Sequence, residues 1–302
     1  MPSGEGRPGY INPRGQIIFR LILNQSHIYN DGICSWNNMI NIRRFISENS
    51  EEKKFTGFME FISSQEMMPV VDCVVKMHRH DTRKATGDPY LKHLIYTAYL
   101  GFLSPEFKQM NDSEKRIYIA SNLLHDSIEM KRKKEKYKPR ELYNQLVQVG
   151  INSNEARKIT VISSLLTPFK QKRKNIKKDQ WLKIKIKDFK RIINLKEINV
   201  DLRDTDIFPE LEFRDLSEQE KEVIIKMVRS IKITDEAANI RETVDDVVMG
   251  RDGRKKHENL KSLDWRVTDF KARLEIIKKI YPENPLLNQM VADLIGLDSY
   301  IL

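Results

Sequence analysis

The sequence predicts an all-α fold, and three observations carry that prediction. From about residue 51 onward, apolar residues recur at three- and four-residue spacing rather than in alternation. Polar capping residues stand at the start of several of these periodic runs. Glycine is scarce, and 4 of the 12 glycines fall within residues 1–15, ahead of the periodic region.

The elements follow in order. Residues 1–15 also hold 3 of the 11 prolines, which makes the leader irregular, and residues 1–50 read as an N-terminal extension. A single helical domain is expected over 51–302. Its helices are expected over roughly 51–64, 66–79, 90–103, 113–130, 140–148, 153–166, 217–248, 257–280 and 284–298. Asp112-Ser113-Glu114 and Asn152-Ser153-Asn154-Glu155 place a cap and an acid in the first turn of two of them. Thr86-Gly87-Asp88-Pro89 and Tyr281-Pro282-Glu283-Asn284-Pro285 are turn signals between others. One stretch departs from this period. Trp181-Leu182-Lys183-Ile184-Lys185-Ile186-Lys187 alternates apolar and basic residues, and Glu197-Ile198-Asn199-Val200-Asp201-Leu202 alternates apolar and acidic or polar ones. Period two is a strand signature, so a small β-hairpin is expected within an insertion over 167–216.

Composition narrows the class. Hydrophobic residues make up 40% of the chain, too many for a disordered protein and enough to bury a sizeable core. No run of 18 apolar residues occurs, so no transmembrane helix is expected. The apolar run near the N-terminus, residues 17–23, is short and broken by Arg20, unlike a signal peptide. Cys34 and Cys73 make neither a disulfide framework nor a zinc knuckle, and the expected location is the reducing cytoplasm.

The net charge of +10 is unevenly placed. Residues 170–191 hold 11 Lys/Arg against 2 Asp, and residues 131–140 hold 7 Lys/Arg against 1 Glu. These two segments exceed the whole net charge, so the remainder is mildly acidic. Such segments attract polyanions: a phosphate-rich small molecule, or nucleic acid through 170–191. A solvated basic surface is the plainer reading.

The residues that carry chemistry are His93, His125-Asp126 and Asp235. His and Asp together offer the mixed nitrogen and oxygen donors that suit a first-row divalent metal. On a helix running through 130, Glu129 would share a face with His125, where a carboxylate can orient or deprotonate a water. Asn239 stands four residues beyond Asp235 on the same helical face. A lone His-Asp pair is more often a cap or a surface pair, and spacing does not decide between the two.

Three segments in order point further. Arg83-Lys84-Ala85-Thr86-Gly87-Asp88-Pro89-Tyr90-Leu91-Lys92-His93, Leu123-Leu124-His125-Asp126-Ser127-Ile128-Glu129 and Lys232-Ile233-Thr234-Asp235-Glu236-Ala237-Ala238-Asn239-Ile240-Arg241 resemble the "RKSGEPYxxHP", "LLHDxxED" and "KLADRxHNxR" motifs of RelA/SpoT-type alarmone hydrolases, a branch of the HD phosphohydrolase superfamily. The resemblance implies an HD-domain helical bundle binding one divalent ion, typically Mn²⁺, on His93, His125, Asp126 and Asp235. It implies hydrolysis of the 3′-pyrophosphate of guanosine tetra- or pentaphosphate, with Glu129 activating water. Arg83, Lys84 and Asn239 match residues that contact the guanine nucleotide. His78 matches a His often present there, and a structural role is favoured for it.

The sequence also departs from the family pattern. Met130 stands where the family has a second acid, and a thioether cannot carry a proton. Glu242 stands where the family usually has Thr, and its charge would repel a phosphorylated ligand unless turned away. The Arg83–Pro89 interval is one residue longer than the common pattern. An HD hydrolase of another nucleotide, and a weakly active nucleotide- or RNA-binding module, therefore stand as alternatives to alarmone hydrolysis. Oligomeric state is not legible in the sequence.

Overall fold

The computed structural model describes residues 49–83, 88–128, 131–132, 135–136, 138–167, 178–196, 216–248 and 256–301. The fold is all-α. The described helices are α1 (Asn49–Ile62), α2 (Met68–His78), α3 (Tyr90–Leu103), α4 (Pro105–Gln109), α5 (Asp112–Leu124), α6 (Pro139–Gln148), α7 (Ser153–Leu166), α8 (Lys178–Ile193), α9 (Glu218–Val248), α10 (Lys256–Ile280) and α11 (Leu286–Ile301). The chain divides into two compact units, Met1–Met68 and Pro69–Leu302. In the first, α1 sets Phe58 and Ile62 four residues apart on one face. The second unit holds all of the candidate site residues. The extension expected over 1–50 lies almost wholly outside the described residues.

Local chemistry sets the helix starts. Asn111 accepts from the Glu114 amide while Glu114 returns a bond to the Asn111 amide, a reciprocal cap that satisfies two otherwise orphaned donors of α5. Asn152 caps α7 through the Asn154 amide. Ser217 and Glu220 make the same reciprocal pair at the start of α9. Helix α4, which the periodicity does not reveal, is a single short turn with Ser104 as cap and Pro105 at its first position. A two-residue antiparallel ladder pairs Lys131 with Lys136 and Arg132 with Glu135.

The long helix α9 is the axis of the unit. It is buried on nearly every side along its middle, and it packs on α3, α5, α7, α8 and α11. Leu100 of α3, Ile233, Ala237 and Ile240 of α9, and Phe270, Leu274 and Ile277 of α10 share one core with Leu287, Met290 and Leu294 of α11. Gly101 of α3 lets α5 come close: a Cβ there would meet the Asn122 amide at 2.9 Å. That amide is fixed, donating to the Tyr118 carbonyl and accepting from Thr234 of α9. One buried side chain thus locks α3, α5 and α9, the three elements that bear the candidate ligands.

The structure corrects two expectations. The Trp181–Lys187 strand is part of helix α8. Alternation over seven residues masks a longer helical stripe, Leu182, Ile186, Phe189 and Ile193, at spacings of four, three and four. Phe189, Ile192 and Ile193 are buried in the core. Burying each contributes about 1.5–3 kcal/mol, whereas strand propensity spans only about 1 kcal/mol, so the helical register wins. The other proposed strand, 197–202, lies outside the described residues. Second, α5 ends at Leu124 rather than running to 130. His125 is its C-cap, and the Ser127 amide bonds the Leu124 carbonyl in a tightened turn. His125-Asp126 therefore sits in a turn at the helix end.

Candidate metal centre

Each ligand is positioned by ordinary helix chemistry. Pro89 precedes α3, and His93 stands one turn in, only 1% exposed. The loop ahead of it is closed by main-chain bonds from Arg83 to Asp88 and from Tyr90 to Asp81. His125 caps α5, and Asp235 lies in the middle of α9. His93, His125 and Asp235 each offer a ligand atom, and the three atoms lie within 4.8 Å of one another. Asp235 Oδ1 is 3.4 Å from His93 Nε2 and 3.5 Å from His125 Nε2. Asp126 Oδ2 joins from the other side, 3.3 Å from His125 Nε2, and accepts a hydrogen bond from the Tyr90 hydroxyl.

The second nitrogen of each imidazole is spoken for. His125 Nδ1 donates to the Asn122 carbonyl at 2.7 Å, which leaves Nε2 facing the cluster. That Nε2 is buried and has no hydrogen-bond partner. His93 Nδ1 lies 3.2 Å from both oxygens of Glu242, so its Nε2 likewise faces Asp235. A carboxylate or carbonyl behind a histidine is the usual support of a metal ligand, because it fixes the tautomer and raises the basicity of the ligating nitrogen. Donor atoms sharing one ion at about 2.0–2.2 Å lie about 3.0–3.5 Å apart, the spacing found here. Two imidazoles, two carboxylates and an unpartnered buried nitrogen are a donor set that fits a divalent cation.

Electrostatics agree. Burial disfavours the His125 imidazolium, yet Asp126 and Asp235 outweigh it and hold the pKa well above the usual histidine value. Burial disfavours charge at His93 too, and Glu242 and Asp235 raise its pKa above the ordinary value. Asp235 stays far below the carboxylate range despite burial, through Lys232 and the two histidines. Protons on the imidazoles therefore compete with a cation for the same lone pairs.

The structure brings His93, His125, Asp126 and Asp235 together, and it shows where the Glu242 charge goes. Glu242 supports His93. Its other partner is Arg83, at 2.7 Å. Arg83 also donates to Asn239 Oδ1 at 3.2 Å, and Asn239 in turn donates to Asp235 Oδ1 at 2.7 Å. Lys232 takes the remaining Asp235 oxygen at 2.7 Å, so the carboxylate presents one oxygen inward. Lys232, Asp235, Asn239 and Glu242 fall at i, i+3, i+7 and i+10 on α9, and Tyr90 and His93 at i and i+3 on α3. That common-face spacing was the available signal. His78 bonds Asp81 through Nδ1 at 3.0 Å and Ser127 Oγ through Nε2 at 3.3 Å, a structural tie on the ligand-bearing turn. Lys84, Glu129 and Met130 lie outside the described residues.

No protein-family model matches the chain, and no curated protein is significantly similar to it. Among the described residues no helix is long and apolar enough to cross a membrane.

Proposed function

We propose that the protein is a metal-dependent phosphohydrolase of phosphorylated nucleotides. One observation carries the reading: His93, His125 and Asp235, from three separate elements, converge within 4.8 Å with imidazole lone pairs aimed inward and supported from behind. When bound, a divalent cation, Mn²⁺ by resemblance, supplies polarisation of a phosphoryl oxygen and a more acidic water. The chain's own residues do the rest. Glu242 and the Asn122 carbonyl hold the histidine tautomers, Lys232 and Asn239 orient Asp235, and Tyr90 orients Asp126. Glu129 follows this turn in sequence and is the residue assigned to accept the proton of the attacking water. Resemblance favours the 3′-pyrophosphate of guanosine tetra- or pentaphosphate as the substrate, with GDP or GTP and pyrophosphate as products.

A second substrate reading rests on Arg83. Two of the side chains that resemblance assigns to the guanine nucleotide, Arg83 and Asn239, bond each other, and Arg83 is paired with Glu242. An arginine so engaged favours a nucleotide other than the guanosine alarmones.

The test is incubation of the purified protein with Mn²⁺ and a nucleotide panel including ppGpp, dNTPs, cyclic nucleotides and monophosphates, with products resolved by chromatography. Release of pyrophosphate from ppGpp supports the first substrate, and turnover of another nucleotide alone supports the second. His125→Ala and Asp126→Ala are expected to abolish both Mn²⁺ binding and turnover, and an unaltered rate in Asp126→Ala overturns the proposal.

A further inference from the structure

The described portion of the basic stretch 170–191 is helix α8, which contributes none of the candidate ligands. One face is anchored. Phe189, Ile192 and Ile193 are buried, and Lys185 reaches inward to Asp269 of α10 at 2.6 Å, with its ammonium 4.7 Å from the Trp265 ring. The opposite face is left to solvent. Lys183, Lys187 and Lys190 are all exposed and fall at i, i+4 and i+7, one stripe along the helix. None of the three has an ion-pair partner among the described residues. The stripe continues into the polar, exposed Asn194 and Lys196.

We propose that this stripe is a nucleic-acid-binding surface that grips the sugar–phosphate backbone without reading sequence. At 1.5 Å rise per residue, Lys183 to Lys190 spans about 10 Å, a length over which one strand presents about three phosphates. Three ammonium groups on a helix held rigid from behind match that array as point charges. An anionic membrane is the weaker partner. A helix that lies on a bilayer needs large apolar side chains beside its basic ones. The large hydrophobic residues exposed among the described residues are Val147, Val248, Ile295 and Tyr300, and none is on α8. Base stacking is not part of the surface either, because no exposed aromatic residue lies in the stripe, which makes the contact one of charge alone.

The full-length protein is titrated against a fluorescein-labelled duplex oligonucleotide, following anisotropy from about 50 to about 200 mM salt. The wild type is expected to lose affinity steeply with salt. The triple variant K183Q/K187Q/K190Q is expected to bind at least about tenfold more weakly at low salt, with a salt slope shallower by about 2.7, since each duplex phosphate contact contributes about 0.9. Its circular dichroism and Mn²⁺ affinity should match the wild type, which separates this surface from the metal centre. The triple arginine variant should retain binding, because charge and not shape is recognised. Equal affinity and slope in the glutamine variant overturn the proposal. So does binding to phosphatidylserine vesicles with none to the oligonucleotide.

Discussion

Two buried charge clusters lie back to back on helix α9, and neighbouring residues in the chain belong to them. Asp235 faces His93, His125 and Asp126. Glu236, fully buried, faces Arg273 of α10 at 2.7 Å, and Arg273 forks onto Asp269, which also receives Lys185. In the second cluster two cations meet two carboxylates, and Arg273 is satisfied through Nε, Nη1 and Nη2. It is closed: an added ion would find only cations already in place. In the first cluster both imidazoles turn Nε2 toward Asp235, and that of His125 has no hydrogen-bond partner. It is open. The same helix thus carries a structural charge network and a binding site one residue apart. Each keeps one unpartnered buried atom, His125 Nε2 and Glu236 Oε1, at a similar depth. What distinguishes them is the counter-charge: Arg273 and Lys185 are fixed cations, whereas the imidazoles can give up a proton to a metal ion.

The sharpest way to break this comparison is to open the closed cluster. Arg273→Met leaves Glu236 and Asp269 buried without their main counter-charge, and burial alone already raises the Glu236 pKa. Removing one partner of a buried pair costs about 3–5 kcal/mol. Urea unfolding of the variant should show that loss, while Mn²⁺ affinity in the surviving folded protein stays near the wild-type value. A variant as stable as wild type would show that Arg273 is not what holds the two carboxylates in the core.

The reverse experiment empties the open cluster. Mn²⁺ at a hundredfold excess over its Kd should stabilise the wild type by about 2.7 kcal/mol. His125→Ala should abolish that increment in a thermal melt while costing the metal-free protein less than Arg273→Met does, because Asp235 keeps Lys232 as its counter-charge.

Glu242 sharpens the comparison further, since it touches the open cluster only from behind. Glu242→Ala should weaken Mn²⁺ binding about 10–100-fold by calorimetry, the usual cost of losing a partner behind a ligand. Glu242→Gln keeps an acceptor for His93 Nδ1 and should recover most of that loss. Equal effects of the two would show that charge, rather than ring orientation, is what Glu242 supplies.

The sequence displays the elements more fully than the partnerships between them. Nine helices are legible because each buries a continuous stripe at helical period. Of the two exceptions, α4 is too short to show a period, and α8 follows from a window too short to distinguish Leu182, Ile186, Phe189 and Ile193 from a strand. The convergence of His93, His125 and Asp235 is legible only through the order of three motifs, because α3, α5 and α9 meet by tertiary packing around Asn122. The end of α5 at Leu124 is invisible in composition: residues 125–130 read as helix formers, and the turn is set by side chains from elsewhere, His78 among them. The role of Glu242 is left open by the sequence for the same reason. Its charge is plain in the sequence, but whether it faces a phosphate or an imidazole depends on where Arg83 and His93 arrive.

The smallest effect comes from a charge outside both clusters. Glu220 sits in the first turn of α9, where it receives the Lys158 ammonium at 2.7 Å and the Ser217 amide. The Lys158 bond, then the Ser217 amide, lower its pKa from the ordinary 4.5 to about 2. The folded state therefore prefers the ionised form, and the stabilisation is complete above about pH 4.5. It is lost as the pH falls through the interval down to about 2, where the folded protein takes up the proton too. A pair this close to solvent is worth about 0.2–1 kcal/mol and is screened by salt. Thermal melts of wild type and Glu220→Gln should differ by that modest amount at neutral pH and converge toward pH 2, with the gap narrowing at high salt. A gap that instead widened in acid would mean that Glu220 is held protonated in the fold, reversing the role given to it at the start of α9.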